Sequence, residues 1–134
     1  MASAILVCMK RLIIDLDETI TLSAHDGYAH AVPNLPLIAR LREYRDGGYE
    51  IVISTSRNMQ TWAGNIGKIN VHTLPLILAW LERHAVPYDE VHVGKPWCGK
   101  EGFYVDDKAI RPAEFTRCSL DEIRALLAAG KAGG

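Results

Sequence analysis

The stretch Leu12-Ile13-Ile14-Asp15-Leu16-Asp17-Glu18-Thr19 decides how the rest of the chain is read. Three apolar residues lead into two carboxylates with one residue between them, and there the apolar character ends. Such a run reads as a buried strand. Residues two apart on a strand face the same side, so Asp15 and Asp17 are expected to lie together where the strand leaves the core. Adjacent anions repel unless a cation or a shared proton neutralises one of them. That requirement makes the pair the first candidate for chemistry.

Working outward, residues 19–34 are polar and include His25, Asp26-Gly27, Tyr28 and His30. The Asp-Gly turn predicts a short hairpin or flap over the strand end. Leu35, Leu37, Ile38 and Leu41 have helical spacing, with Pro36 in the first turn and Gly47-Gly48 as the stop. A second strand over 49–53 runs into Ser54-Thr55-Ser56-Arg57. Residues 58–72 show no clear period and read as a loop. Thr73 is expected to cap a helix through Leu74, Leu76, Ile77, Trp80 and Leu81. Short strands follow over 90–93, leading to Gly94-Lys95-Pro96, and over 102–105, leading to Asp106-Asp107. Ser119-Leu120-Asp121-Glu122 fits a capping box for a last helix that buries Ile123, Leu126 and Leu127. Strands alternating with helices predict a single three-layer α/β domain with a mainly parallel, Rossmann-like sheet. Residues 1–8 read as an N-terminal extension and 130–134 as a flexible tail.

Composition narrows the partners. The 134 residues are 49% hydrophobic and 23% charged with a formal net charge of -1, a balance that gives no reason for a nucleic-acid or anionic-membrane partner. Cys8, Cys98 and Cys118 form no CxxC and suggest a reducing compartment, hence a cytoplasmic protein. No apolar segment approaches the length that spans a bilayer.

Each expected strand ends in residues of a chemical type: Asp15 and Asp17, Thr55, Lys95, then Asp106 and Asp107. Ligand sites of open α/β sheets form beyond the carboxyl ends of the strands. Four strand ends would thus pool acids, a hydroxyl and a lysine in one crevice. Carboxylates without His or Cys ligands suit Mg²⁺, which shares its positions with water and phosphate oxygens. Lys95 and the Thr55 hydroxyl would donate to the same phosphoryl group. One carboxylate could attack phosphorus, and Asp17 could protonate the leaving oxygen and then deprotonate water. The residues alone therefore point to Mg²⁺-dependent phosphoryl transfer.

Asp15-Leu16-Asp17-Glu18-Thr19 also resembles the DxDx[T/V] signature of the haloacid dehalogenase (HAD) superfamily of phosphatases. Ile51-Val52-Ile53-Ser54-Thr55 resembles its second motif, Gly94-Lys95-Pro96 its third, and Phe103-Tyr104-Val105-Asp106-Asp107 its acidic fourth, all in the family's order. Segments around Ser54-Thr55-Ser56-Arg57-Asn58, Asn65-Ile66-Gly67-Lys68-Ile69-Asn70 and Gly94-Lys95-Pro96-Trp97-Cys98-Gly99 are similar to small bacterial members that act in capsule biosynthesis. The resemblance implies Asp15 as nucleophile, Asp17 as general acid/base, and Thr55 and Lys95 as holders of the phosphoryl oxygens. It implies Mg²⁺ on Asp15, the Asp17 carbonyl and Asp106, with Asp107 as an outer or water-mediated ligand. Ser54 and Thr55 are adjacent, and Thr55-Ser56-Arg57 fits the common Thr-x-Arg form, which favours Thr55.

Family members with a cap insert it after the first motif or between the second and third. Residues 19–34 and 58–72 are the only spare segments, both loop-sized, so no separate cap domain is expected. The site would then stay open, or a second copy of the chain, in a dimer or tetramer, would supply the missing wall. Ser56, Arg57 and Asn58 are candidate substrate contacts; a structural ion pair or loop hydrogen bond is the competing reading for Arg57 and Asn58. His25 and His30 lie in the flap, Trp62 and Trp97 read as loop aromatics for a sugar or a subunit interface, and Trp80 reads as core. The substrate implied is a small sugar phosphate for surface-polysaccharide synthesis. Two other readings are a phosphoprotein phosphatase of the same superfamily and a receiver-like phosphoacceptor module. The receiver is disfavoured because the middle strands end in Thr55 and Lys95 with no Asp.

Overall fold

In a computed structural model of the chain, the residues described are 9–23 and 28–131. The expected extension 1–8 with Cys8, the turn at Asp26-Gly27 with His25, and residues 132–134 of the expected tail lie outside them. The chain divides into two compact units, the first running through Pro96 and the second starting at Trp97.

The first unit opens with β1 (Arg11–Ile14), β2 (Thr21–Leu22), a 3-10 turn at Tyr28–His30, β3 (Val32–Pro33) and α1 (Leu35–Asp46). It continues through β4 (Glu50–Ser54), α2 (Ile66–His72), α3 (Leu74–Arg83) and β5 (Glu90–His92). Strands β1, β4 and β5 form one parallel sheet in that order, with Ile13 opposite Val52 and Ser54 opposite His92. Parallel neighbours need crossovers, and α1 and then α2–α3 supply them. The architecture is α/β with a parallel sheet. Strands β2 and β3 pair antiparallel, with Thr21 opposite Pro33 and Leu22 opposite Val32.

The buried strand is β4, not β1. Ile51, Val52 and Ile53 are all in the core, whereas β1 lies at the edge of the three-stranded sheet and leaves Ile13 61% exposed. An apolar run marks affinity for a sheet without saying how many neighbours the strand will have. Helix α1 forms where the spacing predicted. Asn34 accepts the Leu37 N–H at 3.4 Å, Pro36 lies in the first turn, and Leu37, Ile38 and Leu41 are buried. Each of these side chains contributes about 1.5–3 kcal/mol by leaving water, so Leu41→Ala would cost about 2–5 kcal/mol. Asp89 joins the starts of β4 and β5: its carboxylate accepts the Ile51 N–H at 2.8 Å and a bond from Arg45 at 2.9 Å.

Residues 58–72 are not simply a loop. Asn65 accepts the Lys68 N–H at 3.1 Å and starts α2, which buries only Ile69. A seven-residue helix with one buried side chain has too little apolar signal to register as a period. Thr73 does not cap α3 with its side chain, because its backbone is already helical between α2 and α3. Its hydroxyl instead donates to Asn58 Oδ1 at 2.7 Å. Ile77, Trp80 and Leu81 are buried as the spacing predicts, and the Trp80 indole N–H donates to the Ala31 carbonyl at 3.0 Å.

In the second unit the expected strand over 102–105 is absent. Phe103, Tyr104 and Val105 are exposed and pair with no strand among the described residues. Three apolar residues between a glycine and two acids hold a strand only if a partner takes up their backbone bonds. The unit's helices are α4 (Pro112–Arg117), which periodicity did not reveal, and α5 (Leu120–Ala129). The capping box is formed: Glu122 N–H donates to Ser119 Oγ at 3.2 Å and Ser119 N–H to Glu122 Oε1 at 2.8 Å. Ile123 is buried, but Leu126 is exposed and Leu127 half-buried, so α5 covers a narrower stripe than expected. Among the described residues no helix is long and apolar enough to cross a membrane.

Candidate active site

The ends of β1, β4 and β5 carry the first unit's polar cluster. After Ile14 the chain turns sharply. The Leu16 carbonyl accepts N–H bonds from Thr19, Ile20 and Thr21 at 3.3, 2.9 and 3.0 Å, and Glu18 takes a φ of 61°. Leu16 is sunk in the core, so its side chain anchors the turn while Asp15 and Asp17 flank it. Both carboxylates are met by a threonine four residues on: Thr19 Oγ1 donates to Asp15 at 3.5 Å and Thr21 Oγ1 to Asp17 at 3.3 Å.

Lys95 reaches Asp15 from the end of β5, with Nζ 3.6 Å from Oδ1. Its backbone N–H donates to the Thr55 carbonyl at 3.1 Å, which fixes it beside the end of β4. Gly94, immediately before it, has a φ of 83°, and a Cβ there would run into Ile66 Cδ1. Glycine thus serves both the backbone turn and the close approach of α2. The Asp15 side chain is 38% exposed, yet burial pushes its pKa above the ordinary value. Lys95 pulls the other way, as does the Leu16 N–H, while the Asp17 charge adds to the rise. The negative charge at this strand end is therefore under-compensated by the protein.

Thr55 is buried, and its hydroxyl accepts the Arg57 N–H at 3.1 Å. A hydroxyl that accepts there still has its hydrogen to give. Its neighbour Ser54 lies in the ladder, opposite His92. Arg57 is 5% exposed and makes a fork onto Asp17, with Nη2 2.6 Å from Oδ1 and Nε 3.1 Å from Oδ2. The other side of its guanidinium meets the Tyr28 ring, 4.2 Å from the centroid. The ion pair, one of the readings the sequence left open for Arg57, is formed with Asp17.

Asn58 spends its amide inside the loop: Nδ2 donates to Thr61 Oγ1 at 3.1 Å and Oδ1 accepts from Thr73. Its φ of 62° marks the turn leaving β4. Ser56 is half-buried between Thr55 and Arg57. Trp62 stacks on His72 of α2 at 4.8 Å, with Lys68 Nζ over its ring, so it packs on the helix that follows it. His30 is exposed in the 3-10 turn.

The fourth expected strand end is not formed. Asp106 and Asp107 are exposed residues of the second unit, where Asp106 Oδ1 accepts the Lys108 N–H at 2.9 Å and closes a local turn. Cys98 and Cys118, free thiols, and Trp97 also belong to that unit. Among the described residues no group of three or more His, Cys, Asp or Glu side chains is gathered as for a metal ion. Sequence reasoning missed Thr21 and Tyr28. Thr21 was legible as the residue four after Asp17, matching Thr19 after Asp15. Tyr28 gave no signal, because its partner Arg57 is distant in the chain.

The chain is similar to a solved structure, the crystal structure of a structural-genomics target from Vibrio cholerae. The two are 56% identical with a TM-score of 0.90 over 92% of this chain and 100% of the other. The chain belongs to one family with that Vibrio cholerae protein. No family model and no curated protein matches it.

Proposed function

We propose that the protein is a HAD-type phosphatase, a Mg²⁺-dependent phosphomonoester hydrolase working through an aspartyl-phosphate. The observation that carries this reading is Asp15: a half-buried, under-compensated carboxylate at a strand end, with Lys95 Nζ at 3.6 Å and Asp17 beside it. A carboxylate so placed suits attack on a bound phosphoryl group.

Asp15 and Asp17 supply the hard oxygen donors that Mg²⁺ takes from proteins, one or two carboxylates with water and substrate oxygens making up the rest. Burial disfavours the Asp15 carboxylate and Lys95 offsets this only in part, so a cation beside it would relieve the cost. In the proposal the Asp15 carboxylate and the Asp17 carbonyl would be its protein ligands in the first unit. When bound, Mg²⁺ would neutralise charge on the phosphoryl oxygens.

The chain's own residues do the rest. An Asp15 oxygen bonds to phosphorus as the bond to the leaving oxygen breaks, and Asp17 gives that oxygen its proton. Asp17 then takes a proton from water as the water oxygen bonds to phosphorus and the Asp15–phosphorus bond breaks, releasing inorganic phosphate. Lys95 and the Thr55 hydroxyl hold the non-bridging oxygens throughout.

The substrate class is a small sugar phosphate used in surface-polysaccharide synthesis, in the cytoplasm. Among the described residues the spare segments form the β2–β3 pair, a 3-10 turn, a loop and the seven-residue α2, which supports an open site without a cap domain. A homo-oligomer would supply the remaining wall. A panel of sugar phosphates, aryl phosphates and phosphopeptides, with Mg²⁺ and then EDTA, tests the reading. Mg²⁺-dependent release of phosphate from the sugar esters is expected. Preference for phosphopeptides would favour the phosphoprotein phosphatase instead, and no release from any ester would refute phosphatase activity.

A further inference from the structure

Arg57 is a costly residue to bury. Its side chain is 3% exposed, and a guanidinium out of water needs its donors met and its charge balanced. Asp17 balances the charge and accepts from Nε and Nη2 through a two-pronged contact, the geometry that a guanidinium forms with a carboxylate and a lysine does not. The fork leaves the two Asp17 oxygens unequal. Among the described residues, Oδ1 receives Arg57 Nη2 and Thr21 Oγ1, whereas Oδ2 receives Arg57 Nε. Arg57 is also held from two further directions. Its backbone N–H is bonded to Thr55 Oγ1, and its guanidinium meets the ring of Tyr28, which is 48% exposed on the segment joining β2 to β3. A side chain tethered in this way is built into the site and is not a mobile contact for solvent or ligand.

We infer that Arg57 is a positioning residue acting through Asp17, and that Tyr28 seats it. The Arg57 fork fixes the Asp17 carboxylate in one orientation. Tyr28 covers the guanidinium and makes that orientation depend on the segment joining β2 to β3. The inference rests on the proposed role of Asp17 toward the leaving oxygen. It reassigns Arg57 from gripping substrate to aiming the acid.

Leaving-group dependence separates these roles. An alkyl phosphate needs its leaving oxygen protonated, whereas p-nitrophenyl phosphate leaves readily without help. The parameter kcat/KM reports the step that forms phospho-Asp15, so comparing it on the two esters isolates Asp17. Arg57→Lys keeps the charge and loses the fork. It is expected to lose about 100-fold on the alkyl ester, in the range of a general acid put out of place, and less than about fivefold on the aryl ester. Tyr28→Leu, a change at a half-exposed position that leaves the core intact, is expected to show the same pattern at about three- to tenfold on the alkyl ester, and Tyr28→Phe to restore it. In an Asp17→Asn background Arg57→Lys should cost nothing further on the alkyl ester.

Thermal melts identify any variant that fails to fold, and Tyr28→Leu then carries the test. Equal losses on the two esters would overturn the inference, since a phosphate contact or a packing defect acts on both alike. So would a full additional loss in the Asp17→Asn background. A wild-type protein that hydrolyses neither ester would instead refute phosphatase activity itself, and the inference with it.

Discussion

Gly94→Ala tests how the backbone delivers Lys95 to Asp15. The φ of 83° at Gly94 lies in the left-handed region, where a Cβ costs about 1–2 kcal/mol. The new methyl would also meet Ile66 Cδ1, and overfilling a packed contact costs about 1–3 kcal/mol. Because Ile66 is 43% exposed its side chain can swing outward, which favours the low end of that range. Together the two effects destabilise the protein by about 2–4 kcal/mol. At roughly 3–5 °C per kcal/mol for a chain of this size, the melting temperature should fall by about 6–20 °C.

Circular dichroism melts of Gly94→Ala, Ile66→Ala and the double variant separate the two causes. Trimming Ile66 removes the collision and leaves the backbone strain, so the double variant should be more stable than additivity predicts by about 1 kcal/mol. A Gly94→Ala protein melting within about 2 °C of wild type, or strict additivity in the cycle, would refute the reasoning.

Other expected outcomes follow from single contacts. Asp15→Asn should raise stability at neutral pH, because burial raises the Asp15 pKa and the folded protein therefore carries a carboxylate it disfavours. With the folded pKa above the unfolded value of 3.8, the wild type loses stability as pH rises through the window between the two. The advantage of Asp15→Asn in melts of EDTA-treated protein should thus be full at pH 7 and close below about pH 4. Trp80→Phe orphans the Ala31 carbonyl and should cost about 1–3 kcal/mol in urea titrations. Ser119→Ala removes the cap of α5 and should cost about 1 kcal/mol by the same measurement.

The parallel sheet, α1, α3 and the cap of α5 were legible because each has an apolar period or a terminal residue with a local partner. Asp15, Thr55 and Lys95 could be assembled in advance because strand ends in a parallel sheet share one edge. What escaped was set by distant partners. Whether β1 would be central or an edge depended on neighbours that its own sequence does not name. Phe103-Tyr104-Val105 had strand chemistry but pairs with no strand among the described residues. Arg57 is the most instructive residue, since its type and position suited a substrate contact equally well. Only the placement of Asp17 and Tyr28 around it shows where its charge is spent.

The central claim is covalent chemistry at Asp15, and the direct measurement is mass spectrometry of the acid-quenched protein after mixing with p-nitrophenyl phosphate and Mg²⁺. A peptide containing Asp15 should carry one phosphoryl group during turnover, and Asp15→Asn should carry none and release no phosphate. A folded Asp15→Asn protein that still hydrolyses the ester would contradict the account.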